Sequence, residues 1–142
     1  MRSLILLFIL AGSMSVTHAN ELNDFSSDGC SKSPDGIPVY SPDVFLSCCI
    51  KHDISYWQGG TEEDRLLADE DLRSCIEAKG HPDIARAYYY AVRVGGSPKF
   101  NSSYRWGYGW KEDRGYSPLS YVDKIQVVQK LLKLQSEGIS IH

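Results

Sequence analysis

The stretch Cys48-Cys49-Ile50-Lys51-His52-Asp53-Ile54-Ser55-Tyr56 brings together an imidazole, a carboxylate, a phenol and two thiols. Histidine is the side chain whose ordinary pKa lets it take and return a proton near neutral pH. A carboxylate is a hard oxygen ligand of the kind calcium takes. On a helix, Cys49, His52, Asp53 and Tyr56 lie three or four residues apart and share a broad face. His52 and Asp53 are adjacent and diverge by about 100° around the axis. Both can border one cleft, one serving as a base while the other serves a metal.

A base needs a partner that fixes its tautomer, and the flanking elements supply one. The sequence predicts a helix capped by Ser41, with Pro42 at its first position and Asp43 at its positive end, running to about Trp57 and stopped by Gly59-Gly60. A second helix starts at Thr61-Glu62-Glu63-Asp64, which resembles a capping box, carries Leu66, Leu67, Leu72 and Ile76 as apolar points and ends at Gly80. So short a link makes the two helices antiparallel. Counted outward from the turn, His52 and Asp69 fall at nearly the same level. Asp69 can then accept from one imidazole nitrogen and leave the other free to take a proton from water. Tyr56, one turn from His52, can donate to the same carboxylate.

Beyond this pair the sequence predicts a third helix from Pro82 to about Val94, with His81 before it, followed by a long glycine- and aromatic-rich loop over residues 95–117 that includes Tyr104-Arg105-Trp106-Gly107-Tyr108-Gly109-Trp110. A last helix is expected from Ser117-Pro118, with Leu119, Val122, Ile125, Val128 and Leu132 on its packing face. The aromatic loop reads either as a lid over a small core or as a membrane-interface surface. Of Tyr88-Tyr89-Tyr90, one can reach the catalytic aspartate. No repeat, low-complexity segment or alternating strand interrupts this pattern, so the fold class is all-α with large loops.

Composition sets the compartment. Met1-Arg2, the apolar run Leu4 to Ala11 and the small residue Ala19 have the layout of a signal peptide over residues 1–19, and the run is too short for a lasting membrane anchor. Residues 20–142 are then one domain, secreted or periplasmic. Loss of Arg2 leaves 14 basic residues against 18 acidic ones, a net charge of −4, which argues against a nucleic-acid partner. Four cysteines in an exported chain read as two disulfides. A bond between neighbours Cys48 and Cys49 is strained, which leaves two of the three pairings. A zinc site is the weaker reading, because adjacent cysteines are poorly spaced as ligands of one ion. His142 reads as a free tail.

With these residues in place, Cys-Cys-x-x-His-Asp-x-x-Tyr resembles the active-site helix of the secreted phospholipase A2 superfamily. Asp69 precedes Cys75 by six residues, as the family's aspartate precedes a disulfide cysteine, and Asp28-Gly29-Cys30 stands where the family has its calcium loop. The resemblance covers roughly residues 28–76 and is that of a divergent, short, bacterial-type member. It implies disulfides Cys48–Cys75 and Cys30–Cys49. It implies His52, Asp69 and Tyr56 as catalytic residues, and a calcium ion held by Asp53 with carbonyls of Gly29, Ser31 and Ser33. The activity implied is calcium-dependent hydrolysis of glycerophospholipid acyl esters at a phospholipid membrane or lipid aggregate, with no obligate protein partner. The alternative is a secreted, non-catalytic binding or toxin-like module on the same scaffold. Two departures stand out. Ser55 and Ala68 occupy the positions of a further family disulfide, which loses both ends together. Ser31-Lys32-Ser33-Pro34 replaces most of the glycines usual around the loop cysteine.

Overall fold

The computed structural model describes residues 19–31 and 33–138. The expected signal peptide lies outside the described residues except for Ala19, as does His142. Four helices are present among the described residues: α1 (Leu46–Gln58), α2 (Glu62–Ala78), α3 (Pro82–Gly95) and α4 (Tyr121–Ser136). Extended pairing among those residues is confined to two isolated bridges, Leu22 with Trp110 and Ile37 with Ser41. Helix is the dominant regular structure of the described residues, which carry two disulfides, Cys30–Cys49 and Cys48–Cys75. None of the described helices is long and apolar enough to cross a membrane.

Helix α1 organises the rest through two parallel rows of side chains at four-residue spacing. Cys48, His52 and Tyr56 form one row. They meet Cys75 and Asp69 on α2, with Tyr56 also taking a bond from Arg65. Partner numbers fall as α1 numbers rise, so α1 and α2 are antiparallel. The second row is Cys49, Asp53 and Trp57. It meets Cys30, Ser27 and the carbonyl of Asn23 in the N-terminal segment, again in descending order.

The start of α1 differs from the sequence expectation. The Ser41 carbonyl accepts from Ile37 N–H, and Phe45 N–H donates across the loop to Asp35 instead of back to Ser41. The four-residue ladder therefore begins only with Cys49 bonding Phe45, and the helix starts at Leu46 without a side-chain cap. In α2 the Thr61–Asp64 capping box forms with both bonds made. Its buried face differs: Leu66 and Leu67 are exposed, while Arg65, Ala68, Asp69, Leu72 and Ile76 are buried. His81 caps α3 by position alone and sets its ring edge-on against Phe45.

The aromatic loop closes the C-terminal end of α1. A helix leaves its last four carbonyls without intrahelical donors, and here each finds one. Ser55 accepts from Gly59 N–H, Tyr56 from Gly107 N–H, Trp57 from Gly109 N–H and Gln58 from the Trp110 indole. Trp106 donates to the Gly60 carbonyl. Trp106 and Trp110 are buried, over Tyr56 and beside Trp57 respectively. Of the two readings of this loop, the lid over a core is the one these two tryptophans adopt.

Helix α4 corrects the sequence reading twice. It starts at Tyr121, because Ser120 and Asp123 form a capping box there. Its inward face carries Asp123, Val127 and Leu134, while Val122, Ile125, Val128 and Leu132 are exposed. Polar anchoring decides the rotation. Asp123 pairs with Arg114 at 2.9 Å, and the Gln126 amide accepts from Leu22 N–H and donates to the Asn20 carbonyl. A count of apolar residues does not register such partners.

Gly109 is required by space. A Cβ there would stand 2.3 Å from the Trp57 ring and 2.6 Å from its carbonyl oxygen. Gly109→Ala is expected to destabilise the protein by about 1–3 kcal/mol in denaturant unfolding. An unchanged midpoint would mean that the loop is not seated on α1.

Candidate active site

Four elements converge on His52. Its Nε2 lies 2.7 Å from Oδ1 of Asp69, and the Tyr56 hydroxyl donates to the same oxygen at 2.8 Å. An ionised Asp69 can only accept, and against it Nε2 carries the hydrogen while Nδ1 keeps its lone pair. Nδ1 has no bonding partner among the described protein atoms. Tyr56 stacks at a tilt on the imidazole, with ring centroids 4.2 Å apart, and is held from behind by the edge of Trp106. Burial, and next the charge of Asp69, push the Tyr56 hydroxyl far up, so it acts as a neutral donor. Gly96 makes this packing possible: a Cβ there would come within 2.3 Å of the Tyr56 ring.

Two arginines complete the cluster, and neither was anticipated from the sequence. Arg93 on α3 donates to Asp69 Oδ2 at 2.7 Å. Arg65 on α2 is buried, donates to the Tyr56 and Tyr116 hydroxyls, and reaches the carbonyls of Val92 and Arg93 at the end of α3. The spacing of Arg65, one turn before Asp69, was a readable signal. Arg93 comes close only through the docking of α3. The tyrosine triplet goes elsewhere: Tyr88 donates to the Pro34 carbonyl, Tyr89 lies against the Arg73 guanidinium and Tyr90 is exposed.

His52 and Asp53 border one cavity of about 230 Å³. Gly29, Ser31 and Ser33 line one side of it, and Leu72, Tyr88, Ala91, Val92 and Gly95 give it an apolar wall. The proposed cation residues are thus gathered next to the histidine. The loop that carries them is pinned by side chains. Asp35 Oδ1 accepts from Cys30 N–H, and a Cβ on Gly29 would stand 2.4 Å from that oxygen. Gly29 (φ 77°) and Ser31 (φ 42°) turn the backbone through the left-handed region. Ser27 links loop to helix, accepting from Gly29 N–H and donating to Asp53 Oδ2 at 2.5 Å.

Asp53 is the group whose chemistry points to a cation. Burial pushes its carboxyl up to about 6, with the Ser27 hydroxyl pulling the other way. Among the described residues, no three His, Cys, Asp or Glu side chains converge as a metal cluster. A cation at Asp53 must therefore be held largely by main-chain oxygens. That donor set, one carboxylate with carbonyls from a turned loop, is the hard oxygen chemistry calcium takes, so the residues fit the ion. All four cysteines are in disulfides, which leaves no thiolate for zinc.

Comparison of the chain with family models, with curated proteins and with solved structures finds no match. The functional reading therefore stands on the residues and their geometry.

The Asp53 shift has a measurable sign. Its folded value, about 6, lies above the ordinary 3.8, so folding favours the protonated form. That stabilising contribution is full at acid pH and is lost as pH rises through about 6. In chelator near neutral or mildly alkaline pH, Asp53→Asn, whose amide oxygen still accepts from Ser27, should be more stable than the parent by up to about 3 kcal/mol. Below the ordinary carboxylate range the difference should vanish. A variant less stable than the parent at high pH would show that a compensating partner already satisfies Asp53.

Proposed function

We propose that this chain is an exported, calcium-dependent carboxylic ester hydrolase of the phospholipase A2 type, acting on acyl esters of glycerophospholipids. The observation that carries the reading is the free Nδ1 of His52, fixed by Asp69 and Tyr56 beside the desolvated carboxylate of Asp53 at an apolar cavity. Nδ1 takes the proton of a water molecule as its oxygen bonds to the acyl carbon. Asp69 stabilises the imidazolium that results. The same nitrogen returns the proton to the alkoxide as the ester C–O bond breaks, and an acid and an alcohol leave. No serine nucleophile takes part. Leu72, Ala91 and Val92 offer the acyl chain an apolar wall from which water is excluded.

Asp53 with carbonyls of Gly29, Ser31 and Ser33 would hold the calcium ion. When bound, that ion supplies stabilisation of negative charge on the carbonyl oxygen. The substrate is presented by a membrane or lipid aggregate, and the acidic net charge supports no nucleic-acid role.

Phospholipid vesicles assayed with calcium and then with chelator test this reading. His52→Gln is expected to lower turnover by about 100-fold or more, with fold and calcium binding retained. Asp69→Asn should be milder, because it disturbs the tautomer and not the base itself. Full activity in His52→Gln would sink the mechanism and leave a binding module on the same scaffold.

A further inference from the structure

Helix α4 carries an apolar stripe on its outer side. Tyr121, Ile125, Val128 and Leu132 are between 39% and 80% exposed, while Asp123, Val127 and Leu134 fill the inner side. The four stand at successive spacings of four, three and four residues. At 3.6 residues per turn they fall within about 60° of the helix circumference. That is the narrow seam of a helix that packs along one other helix, and not the broad face of one that covers a core. The stripe cannot turn inward, because the Asp123–Arg114 pair and the Gln126 bonds to Asn20 and Leu22 fix the rotation of α4.

The spacing reads the same in both directions along the helix. A second copy of α4 laid antiparallel sets Ile125 against Val128 and Tyr121 against Leu132, and each pair is made twice about a two-fold axis. Antiparallel packing also opposes the two helix dipoles head to tail. Val122, Lys124, Gln129 and Leu131 flank the stripe, and Lys124 is the one charged side chain among them. In the antiparallel pair Lys124 lies beside Leu131 of the second copy, so no like charge opposes it. A lipid surface favours a basic surround to an apolar helix face, but Lys130 and Lys133 are turned to Asp24 in the N-terminal segment. With Val122, which is 53% exposed, the stripes of two copies together approach the roughly 1,000 Å² at which specific association begins. We infer that the outer stripe of α4 is a docking surface for a second copy of this chain, joined as an antiparallel two-fold pair. The inference stands apart from the hydrolase reading.

Sedimentation equilibrium of the exported protein up to about 1 mM should show a reversible dimer, and a monomer throughout overturns the inference. Val128→Glu sets a charge beside the two-fold axis and should weaken association about tenfold or more. Leu132→Lys tests the other end of the stripe and should do the same. Leu67→Glu replaces an apolar residue on α2 that is 60% exposed and lies outside the stripe, and should leave the dimer intact. Equal loss in Leu67→Glu would mean unspecific association and overturns the inference. Nitroxide labels on Ser136→Cys should stand about 30 Å apart in the antiparallel pair, against about 10 Å in a parallel one. The shorter distance overturns the antiparallel arrangement. So does a parent protein that stays monomeric yet binds phosphatidylglycerol vesicles through Val128, which would assign the stripe to lipid.

Discussion

Asp69 stands out of contact with water, and a bare carboxylate in that position would cost several kcal/mol. The neighbouring architecture reads as the answer to this constraint. α1 brings His52 and Tyr56 to one oxygen, and α3 brings Arg93 to the other. Arg65 then fastens the end of α3 to the Tyr56 hydroxyl, so the three helices meet around a single charge. Helix contacts are densest between α2 and α3 and between α1 and α2, the pairs that enclose Asp69. A cluster with both partners of every bond present is stable, but loss of one member leaves an unpaired buried group.

The two rows on α1 explain how the proposed base and the proposed cation ligand can be neighbours in sequence and face different partners. His52 belongs to the row that faces α2, and Asp53 to the row that faces the N-terminal segment. Each row ends in a disulfide at one end of the helix and an aromatic side chain at the other. Gly109 in the 106–110 loop lets main chain approach close enough to reach the Trp57 carbonyl of α1. His52 is thus held on a helix whose terminus is closed by other parts of the chain.

Elements whose signals are local were legible in the sequence. The Thr61–Asp64 box, the Gly59-Gly60 break and the start of α3 at Pro82 depend on residues a few positions apart, and they form where those residues stand. The level of His52 against Asp69 followed from counting along two antiparallel helices. What the sequence hid was whatever distant partners decide. The start of α1 slides from Ser41 to Leu46 because Asp35 captures the Phe45 amide. The rotation of α4 is set by Arg114, Leu22 and Asn20, so the expected apolar face points outward. Arg93 was invisible as a site residue because nothing near it in the chain refers to Asp69.

Residues 20–24 clasp α4 across more than a hundred positions. Asn20 and Leu22 bond Gln126, and Asp24 bridges Lys130 and Lys133. Leu22 and Trp57 share a cluster with Val127, so the last wall of that cluster is a helix near the far end of the chain. α1, α2 and α3 follow one another through short links and can associate from local contacts alone. The clasp must close a loop almost as long as the domain. During synthesis, Trp57 and the N-terminal segment remain unsealed until α4 has emerged, and their apolar surface stays open to water until then.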